Sequence, residues 1–155
     1  MKNPPWVYVD TSVFGGVFDD EFAEASRAFF EQAVSGSLRI AVSPLSMDEL
    51  DGAPQQIRSY FDNLADFVSP LEIDASAYDL QQAYLNAGVV SPKWEIDALH
   101  VAIASVNSCN AIVSWNFKHI VNFRRIPLYN EVNLERGYKL IAIHSPAEFV
   151  ADGED

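Results

Sequence analysis

The apolar and polar positions of the chain follow two periods. Short apolar runs, typical of buried strands, stand at residues 7–9, 39–42, 111–115 and 140–143, with weaker extended candidates at 67–73 and, edge-like, at 126–128. Apolar residues at helical spacing occur over 19–34, 45–50, 55–64, 76–87 and 96–106. The pattern therefore predicts strands that alternate with helices.

Turn and capping residues support these boundaries. Ser43 followed by Pro44 is typical of an N-cap and the first helical position, and Gly88 is suited to end the helix over 76–87. Alternating strands and helices favour a parallel sheet that is covered on both faces. We expect an α/β fold in one domain over residues 1–150, followed by a frayed acidic tail at 151–155.

Composition narrows the class of protein. The chain has 155 residues, of which 49% are hydrophobic, and its single cysteine, Cys109, excludes an intramolecular disulfide. We expect a cytoplasmic protein, because a lone cysteine fits a reducing compartment and neither a signal-peptide pattern nor a membrane-spanning apolar run is found. No membrane partner is expected.

The net charge of -12 disfavours non-specific nucleic-acid binding, because a strongly acidic domain repels phosphate backbones. The acid is concentrated in residues 1–90, which hold four basic and 14 acidic side chains. The compact basic group is Lys118, His119, Arg124 and Arg125. It is either a solvated rim or a set of phosphate contacts.

Four oxygen-bearing side chains are candidates for a shared site. Asp10 ends the first strand, Asn116 follows the apolar run at 111–115, Glu49 lies in the helix after the second strand, and Asp97 opens the helix over 96–106. Functional groups of open α/β sheets collect at the carboxyl ends of the strands. Each residue also has a purely structural interpretation, as a cap, a turn residue or an exposed helix acid.

Converging carboxylates would require a cation, because mutual repulsion otherwise raises their pKa values. Oxygen ligands suit Mg²⁺ or Mn²⁺. The single cysteine and the scattered histidines, which are His100, His119 and His144, argue against zinc.

Four segments together carry a resemblance to a known family. They are Val7-Tyr8-Val9-Asp10-Thr11-Ser12-Val13-Phe14, the helix of Glu49, Ile96-Asp97-Ala98-Leu99-His100-Val101-Ala102-Ile103-Ala104, and Ser114-Trp115-Asn116-Phe117-Lys118-His119. In this order and spacing they resemble the PIN domain, including the VapC-type toxin ribonucleases. The resemblance covers nearly the whole chain. It implies a three-layer α/β/α sandwich with a central parallel sheet and metal-dependent cleavage of RNA.

The resemblance also implies roles for individual residues. Asp10, Glu49 and Asp97 look like the family's metal ligands for Mg²⁺ or Mn²⁺, and Asn116 falls where many members have a fourth acid. Ser12 resembles the hydroxyl that organises the acidic site, although a turn role suits it equally. The segment over 127–149 looks like the C-terminal part of a subset of these proteins, and no chemistry is attached to it.

The residues near Asn116 are the expected contacts for RNA. Lys118, His119 and Arg124 are expected to guide the phosphate backbone, and Trp115 and Phe117 to stack on bases, with core packing as the alternative for at least one of the aromatics. His100, three residues beyond Asp97, is expected to be a hydrogen-bonded structural histidine.

The resemblance further implies an antitoxin partner, and the acidic excess would favour a basic peptide. Apolar faces of the helices over 55–64 and 76–87 are expected as a homodimer surface or antitoxin groove, with packing on the sheet as the alternative. The competing functions are a catalytically silent PIN-like domain that binds partners, and a receiver-like signalling domain. The receiver would require an adjacent acid pair after the first strand, where this chain has Asp10 alone.

Overall fold

A five-stranded, all-parallel sheet forms the centre of the molecule in the computed structural model, which describes residues 3–153, with side chains to residue 150. The strands are β1 (Trp6–Val9), β2 (Arg39–Val42), β3 (Val68–Pro70), β4 (Ala111–Val113) and β5 (Ala142–His144). Their order is β3-β2-β1-β4-β5. The expected α/β class with a central parallel sheet is confirmed.

Helices cover both faces of this sheet. Within residues 3–153 they are α1 (Thr11–Gly16), α2 (Ala23–Val34), α3 (Pro44–Asp51), α4 (Gln55–Leu64), α5 (Ala75–Asn86), α6 (Glu95–Val106), α7 (Ile126–Glu135) and α8 (Pro146–Gly153), with 3₁₀ turns at Ala65–Phe67 and Pro92–Trp94. None of these helices combines the length and the apolar character that crossing a bilayer requires.

Two separate cores explain the three layers. Successive strand residues point to opposite faces, so Tyr8 and its register partners Ala41 and Ile112 pack under α5, α6 and α7. Val7, on the opposite face, belongs to the core that contains Phe14 of α1 and the aromatic residues of α2 and α4. Burying one such large apolar side chain contributes about 1.5–3 kcal/mol, so each layer adds substantially to the free energy of unfolding.

The capping residues act as the sequence predicts. The hydroxyl of Ser43 accepts a hydrogen bond from the backbone N–H of Ser46 at 3.3 Å, and Pro44 occupies the first turn of α3. Gly88 has φ +73°, the left-handed conformation that lets the chain turn after α5.

Several local predictions were wrong. The run at 126–128, expected as an edge strand, is the first turn of α7. Proline is favoured there because the N–H groups of a first helical turn have no partner within the helix, so the missing N–H of Pro127 is not lost to any hydrogen bond. The short helix Thr11–Gly16, with Asp10 at its N-cap position, was not predicted. The apolar run over 111–115 pairs only as far as Val113. The last strand spans Ala142–His144 rather than 140–143, and the extended segment over 67–73 pairs only at Val68–Pro70.

The helices over 55–64 and 76–87 bury most of their large apolar side chains, and a homodimer surface or antitoxin groove on them stays a prediction. Phe61 and Leu64 of α4, and Leu80 and Tyr84 of α5, are buried in the two cores, whereas Tyr78 is 52% exposed. The structure favours packing on the sheet for these residues. The domain boundary at residue 150 stays a prediction: α8 continues to Gly153, and residues 154 and 155 of the expected tail lie outside the described residues.

Candidate metal centre

The candidate site lies where the strand order reverses. From β1 the chain builds outwards to β2 and β3 on one side and to β4 and β5 on the other, so the carboxyl ends of β1 and β4 flank the switch point. Val9 pairs with Val113, and the N–H of Asp10 donates to the carbonyl of Val113 at 3.0 Å. The residues that follow these two strands therefore meet.

Asp10 is held by two hydroxyl groups. Ser12 Oγ and Ser114 Oγ donate to Asp10 Oδ2 at 2.8 and 2.7 Å. The same hydroxyls accept the backbone N–H groups of Trp115 and Asn116 at 3.0 and 2.9 Å. Ser12 thus links the acid to the loop after β4. The second carboxylate oxygen, Oδ1, lies 3.8 Å from Nε2 of His100.

Glu49 reaches the site from the last turn of α3. Its Oε1 lies 2.9 Å from Nε2 of His100 and accepts a hydrogen bond from Thr11 Oγ1 at 3.2 Å. Partial burial by itself would raise the pKa of Glu49, but the hydrogen bond and charge of His100, together with the Thr11 hydroxyl, outweigh burial and lower that pKa. Glu49 is therefore held in its ionised form.

Asp97, in the first turn of α6, has a different set of partners. Its Oδ2 lies 3.0 Å from Nδ1 of His119, and the side chain of Asn116 is close enough to lower the pKa of its carboxyl group. Burial raises the pKa of Asp97, the contacts with Asn116 and His119 oppose that rise, and the charge of Asp10 adds to it. Asp97 is therefore more disposed to hold a proton than Glu49, whose pKa is lowered.

An open cavity of about 380 Å³ joins these groups. Its walls include all four predicted site residues, Asp10, Glu49, Asp97 and Asn116, together with Ser12. A larger cavity of about 590 Å³ lies elsewhere, beside β5 and α8, and no carboxylate is among its lining residues. The carboxylate-lined cavity is therefore the candidate for chemistry.

One set of donor atoms within the described part of the chain is close enough to hold a single ion. It comes from Asp10, Glu49 and His100, whose donor atoms all lie within 4.8 Å of one another. His100 was expected to be structural, and its hydrogen bonds agree with that role, but its position beside two carboxylates was missed. The spacing of residues along α6 could not predict this position, because tertiary packing decides that Glu49 of α3 lies beside His100.

The basic residues separate into two groups. Lys118, two residues beyond Asn116, and Arg124 are exposed, as a phosphate-guiding role requires. His119 is 8% exposed, is bonded to Asp97 and stacks on Trp94 with ring centroids 4.2 Å apart. The expectation that His119 meets the RNA backbone is therefore not supported by its position.

The aromatic residues flanking Asn116 also differ from each other. Trp115 stacks on Phe22 with ring centroids 4.2 Å apart and is half-buried. Phe117 is 49% exposed, and Phe123, beside the guanidinium of Arg124, is 80% exposed. Core packing is thus the role of Trp115, and Phe117 is free to contact a ligand.

Comparison with known proteins gives a fold match without a sequence match. No protein-family model matches the chain, and neither does any curated protein. The fold is similar to a chain in the crystal structure of VapBC2 from Rickettsia felis bound to a DNA fragment from their promoter, with a TM-score of 0.57 and 12% sequence identity. The match covers 90% of this chain and 98% of that one. At this identity the likeness concerns the fold.

Proposed function

We propose that the chain is a metal-dependent endoribonuclease that hydrolyses RNA phosphodiester bonds. The observation that supports this proposal is the convergence of Asp10, Glu49 and Asp97 on one open cavity at the switch point of a parallel sheet. A divalent cation fits this donor set, because clustered carboxylates are otherwise destabilised by repulsion and because oxygen ligands suit Mg²⁺ or Mn²⁺.

Asp10 and Glu49 would hold the ion from β1 and α3, with Asp97 and Asn116 on the adjoining wall. When bound, a divalent ion would lower the pKa of the attacking water and neutralise the charge that develops on the phosphoryl oxygens. The two serine hydroxyls on Oδ2 of Asp10 fix that carboxylate in place. Asp97 and His119 share a contact of 3.0 Å and are suited to holding a proton beside the reacting phosphate.

An acidic protein repels the phosphates of RNA, so RNA binding requires local groups that offset this repulsion. Lys118 and Arg124 offer exposed cations for the phosphate backbone, and Phe117 and Phe123 offer exposed rings. Stacking of one base on an aromatic side chain contributes about 1–3 kcal/mol. These residues would hold a single-stranded segment against the cavity despite the net charge of -12.

Cleavage assays of the purified protein on structured and unstructured RNAs, with and without EDTA, test the activity. We expect cleavage that Mg²⁺ or Mn²⁺ restores after chelation and that Asp10→Asn abolishes. Asp66→Asn, which removes an exposed acid outside the cavity lining, is the matched control and should retain full activity. Equal cleavage by wild type and Asp10→Asn would assign the activity to a contaminant.

We further propose that the protein is the toxin of a type II toxin–antitoxin pair and acts in the cytoplasm. The support is the likeness of its fold to a chain of VapBC2. The acidic excess favours a basic antitoxin segment, with an affinity that falls as salt is raised.

Co-expression with the products of the flanking genes, followed by size exclusion at low and high salt, tests this partner and also reports any homodimer. Harmless overexpression of the chain alone, no basic partner and no RNA cleavage would instead support the catalytically silent, partner-binding alternative.

A further inference from the structure

His100 is buried in α6, with 1% of its surface exposed, and both of its ring nitrogens have partners. Nδ1 lies 2.6 Å from the hydroxyl of Tyr8, and Nε2 lies 2.9 Å from Oε1 of Glu49 and 3.8 Å from Oδ1 of Asp10. The ring is therefore fixed with Nε2 directed towards two carboxylates.

The protonated ring, whose charge acts on Glu49, donates from both nitrogens, whereas a neutral imidazole carries one proton and has two arrangements. With the proton on Nε2, His100 donates to Glu49, and Tyr8 donates to Nδ1. With the proton on Nδ1, His100 donates to Tyr8, and the lone pair of Nε2 faces the carboxylates. The second arrangement is stable only when a cation lies between the nitrogen and the two acids, because lone pairs and negative charges repel one another.

The surroundings of Tyr8 satisfy both arrangements. Its hydroxyl lies 2.9 Å from Ser43 Oγ and 3.2 Å from Ser46 Oγ, and each serine hydroxyl can donate or accept. Tyr8 can thus donate to His100 while it accepts from the serines, or accept from His100 while it donates to Ser43. Neither arrangement leaves a buried polar group unpaired, which would cost about 1–3 kcal/mol.

We propose that Nε2 of His100 is a metal ligand beside Asp10 and Glu49, and that Tyr8 is the positioning residue that orients the ring. The donor atoms of these three side chains lie within 4.8 Å of one another. This inference rests on the proposed metal-dependent function. It changes the expected all-oxygen centre into a mixed nitrogen and oxygen centre, which favours first-row transition ions over Mg²⁺, because imidazole is a common ligand of those ions whereas Mg²⁺ prefers oxygen.

Mn²⁺ bound to the full-length protein provides a direct test that needs no RNA. Pulsed electron paramagnetic resonance should show ¹⁴N modulation on the bound Mn²⁺, and this should change to the ¹⁵N pattern when histidine is ¹⁵N-labelled.

Four variants test the assignment of the nitrogen to His100 and the role of Tyr8. His100→Asn should lose the modulation and weaken Mn²⁺ binding by at least the roughly 10–100-fold that is typical when a hydrogen-bond partner of a metal ligand is removed. His119→Asn, beside Asp97, and His144→Asn, in β5, are the matched controls and should retain the modulation. Tyr8→Phe should retain it with weaker Mn²⁺ binding, because the ring stays in place without its orienting hydrogen bond.

The outcomes separate the two proposals. Mn²⁺ bound without ¹⁴N modulation, or modulation lost in His119→Asn and kept in His100→Asn, would overturn the role of His100 and leave the metal centre standing. Absence of Mn²⁺ binding at millimolar concentration would overturn the metal-dependent function and this inference with it. The ¹⁵N-histidine measurement on the wild type decides the matter even if His100→Asn does not fold.

Discussion

The indole nitrogen of Trp115 donates a hydrogen bond to Ser26 Oγ at 2.9 Å and thereby ties the loop after β4 to α2. Gly16, at the end of α1, lies against this contact. A Cβ at position 16 would stand 2.6 Å from Ser26 Oγ and 2.7 Å from Trp115 Nε1, so glycine is the residue that lets the three segments meet. The same loop carries Asn116 to the cavity.

Gly16→Ala should therefore lower the free energy of unfolding by about 1–3 kcal/mol, the range for overpacking a well-packed interior. Gly15→Ala is the matched control, because a Cβ there has no neighbour closer than 3.9 Å, and alanine favours the helix by up to about 1 kcal/mol. Urea denaturation measures both. Equal stability of the two variants would contradict this account of α1.

Asp10→Asn should change the free energy of unfolding by less than about 1 kcal/mol without metal, because the amide oxygen can still accept from Ser12 and Ser114. Mn²⁺ at 100 times its dissociation constant should stabilise the wild type by about 2.7 kcal/mol and the variant much less. Thermal melts with and without Mn²⁺ measure this difference. A wild-type melting temperature that does not change in millimolar Mn²⁺ would count against a metal centre.

Ser43→Ala should cost about 1 kcal/mol of stability, because it removes the N-cap of α3 and one partner of the Tyr8 hydroxyl. It should also weaken Mn²⁺ binding, since α3 carries Glu49. Asp74→Ala removes the N-cap of α5, where Asp74 Oδ1 accepts from the N–H of Ala77, and so provides a matched control. That control should lose similar stability and keep full Mn²⁺ affinity, as metal titrations of the folded variants will show.

Alkaline pH should unfold the protein cooperatively. Burial raises the pKa of Tyr84 and Tyr129 and raises that of the Cys109 thiol to about 12. Raised pKa values favour the neutral groups in the folded state. Their contribution to stability is complete below the unfolded pKa values, about 8.5 for cysteine and 10 for tyrosine, and is lost as the pH rises towards the folded values.

Tyrosinate absorbance near 295 nm and circular dichroism, followed over the same alkaline titration, check this prediction. We expect the absorbance of the buried tyrosines to appear together with the loss of helical signal. Ionisation of all six tyrosines while the fold remains intact would show that burial does not protect Tyr84 and Tyr129.

Local structure was predictable from the sequence because it depends on near neighbours. Apolar runs identified four of the five strands, and helical spacing with Ser43, Pro44 and Gly88 identified α3 and α5. The failure at 126–128 has the same origin, because a short apolar run with a proline suits either an edge strand or the first turn of a helix. Only the packing of α7 into the core, through Tyr129 and Val132, decides between them.

The site residues themselves were predicted from their places after strands and in helix turns, and the structure brings Asp10, Glu49, Asp97 and Asn116 to one cavity. Their catalytic and metal-binding roles remain predictions. What the sequence determined was which side chains stand at the ends of strands, since this follows from local pattern alone.

Tertiary structure decided which of those side chains touch. Glu49 and His100 are 51 positions apart, Tyr8 and His100 are 92 apart, and Asp10 and Ser114 are 104 apart. These contacts depend on β1 lying next to β4 and on α3 and α6 approaching the same edge, which no local period encodes. The cluster of Asp10, Glu49 and His100 therefore exists only in the folded chain, because burial of two apolar cores fixes the strand order and the helices that carry these groups.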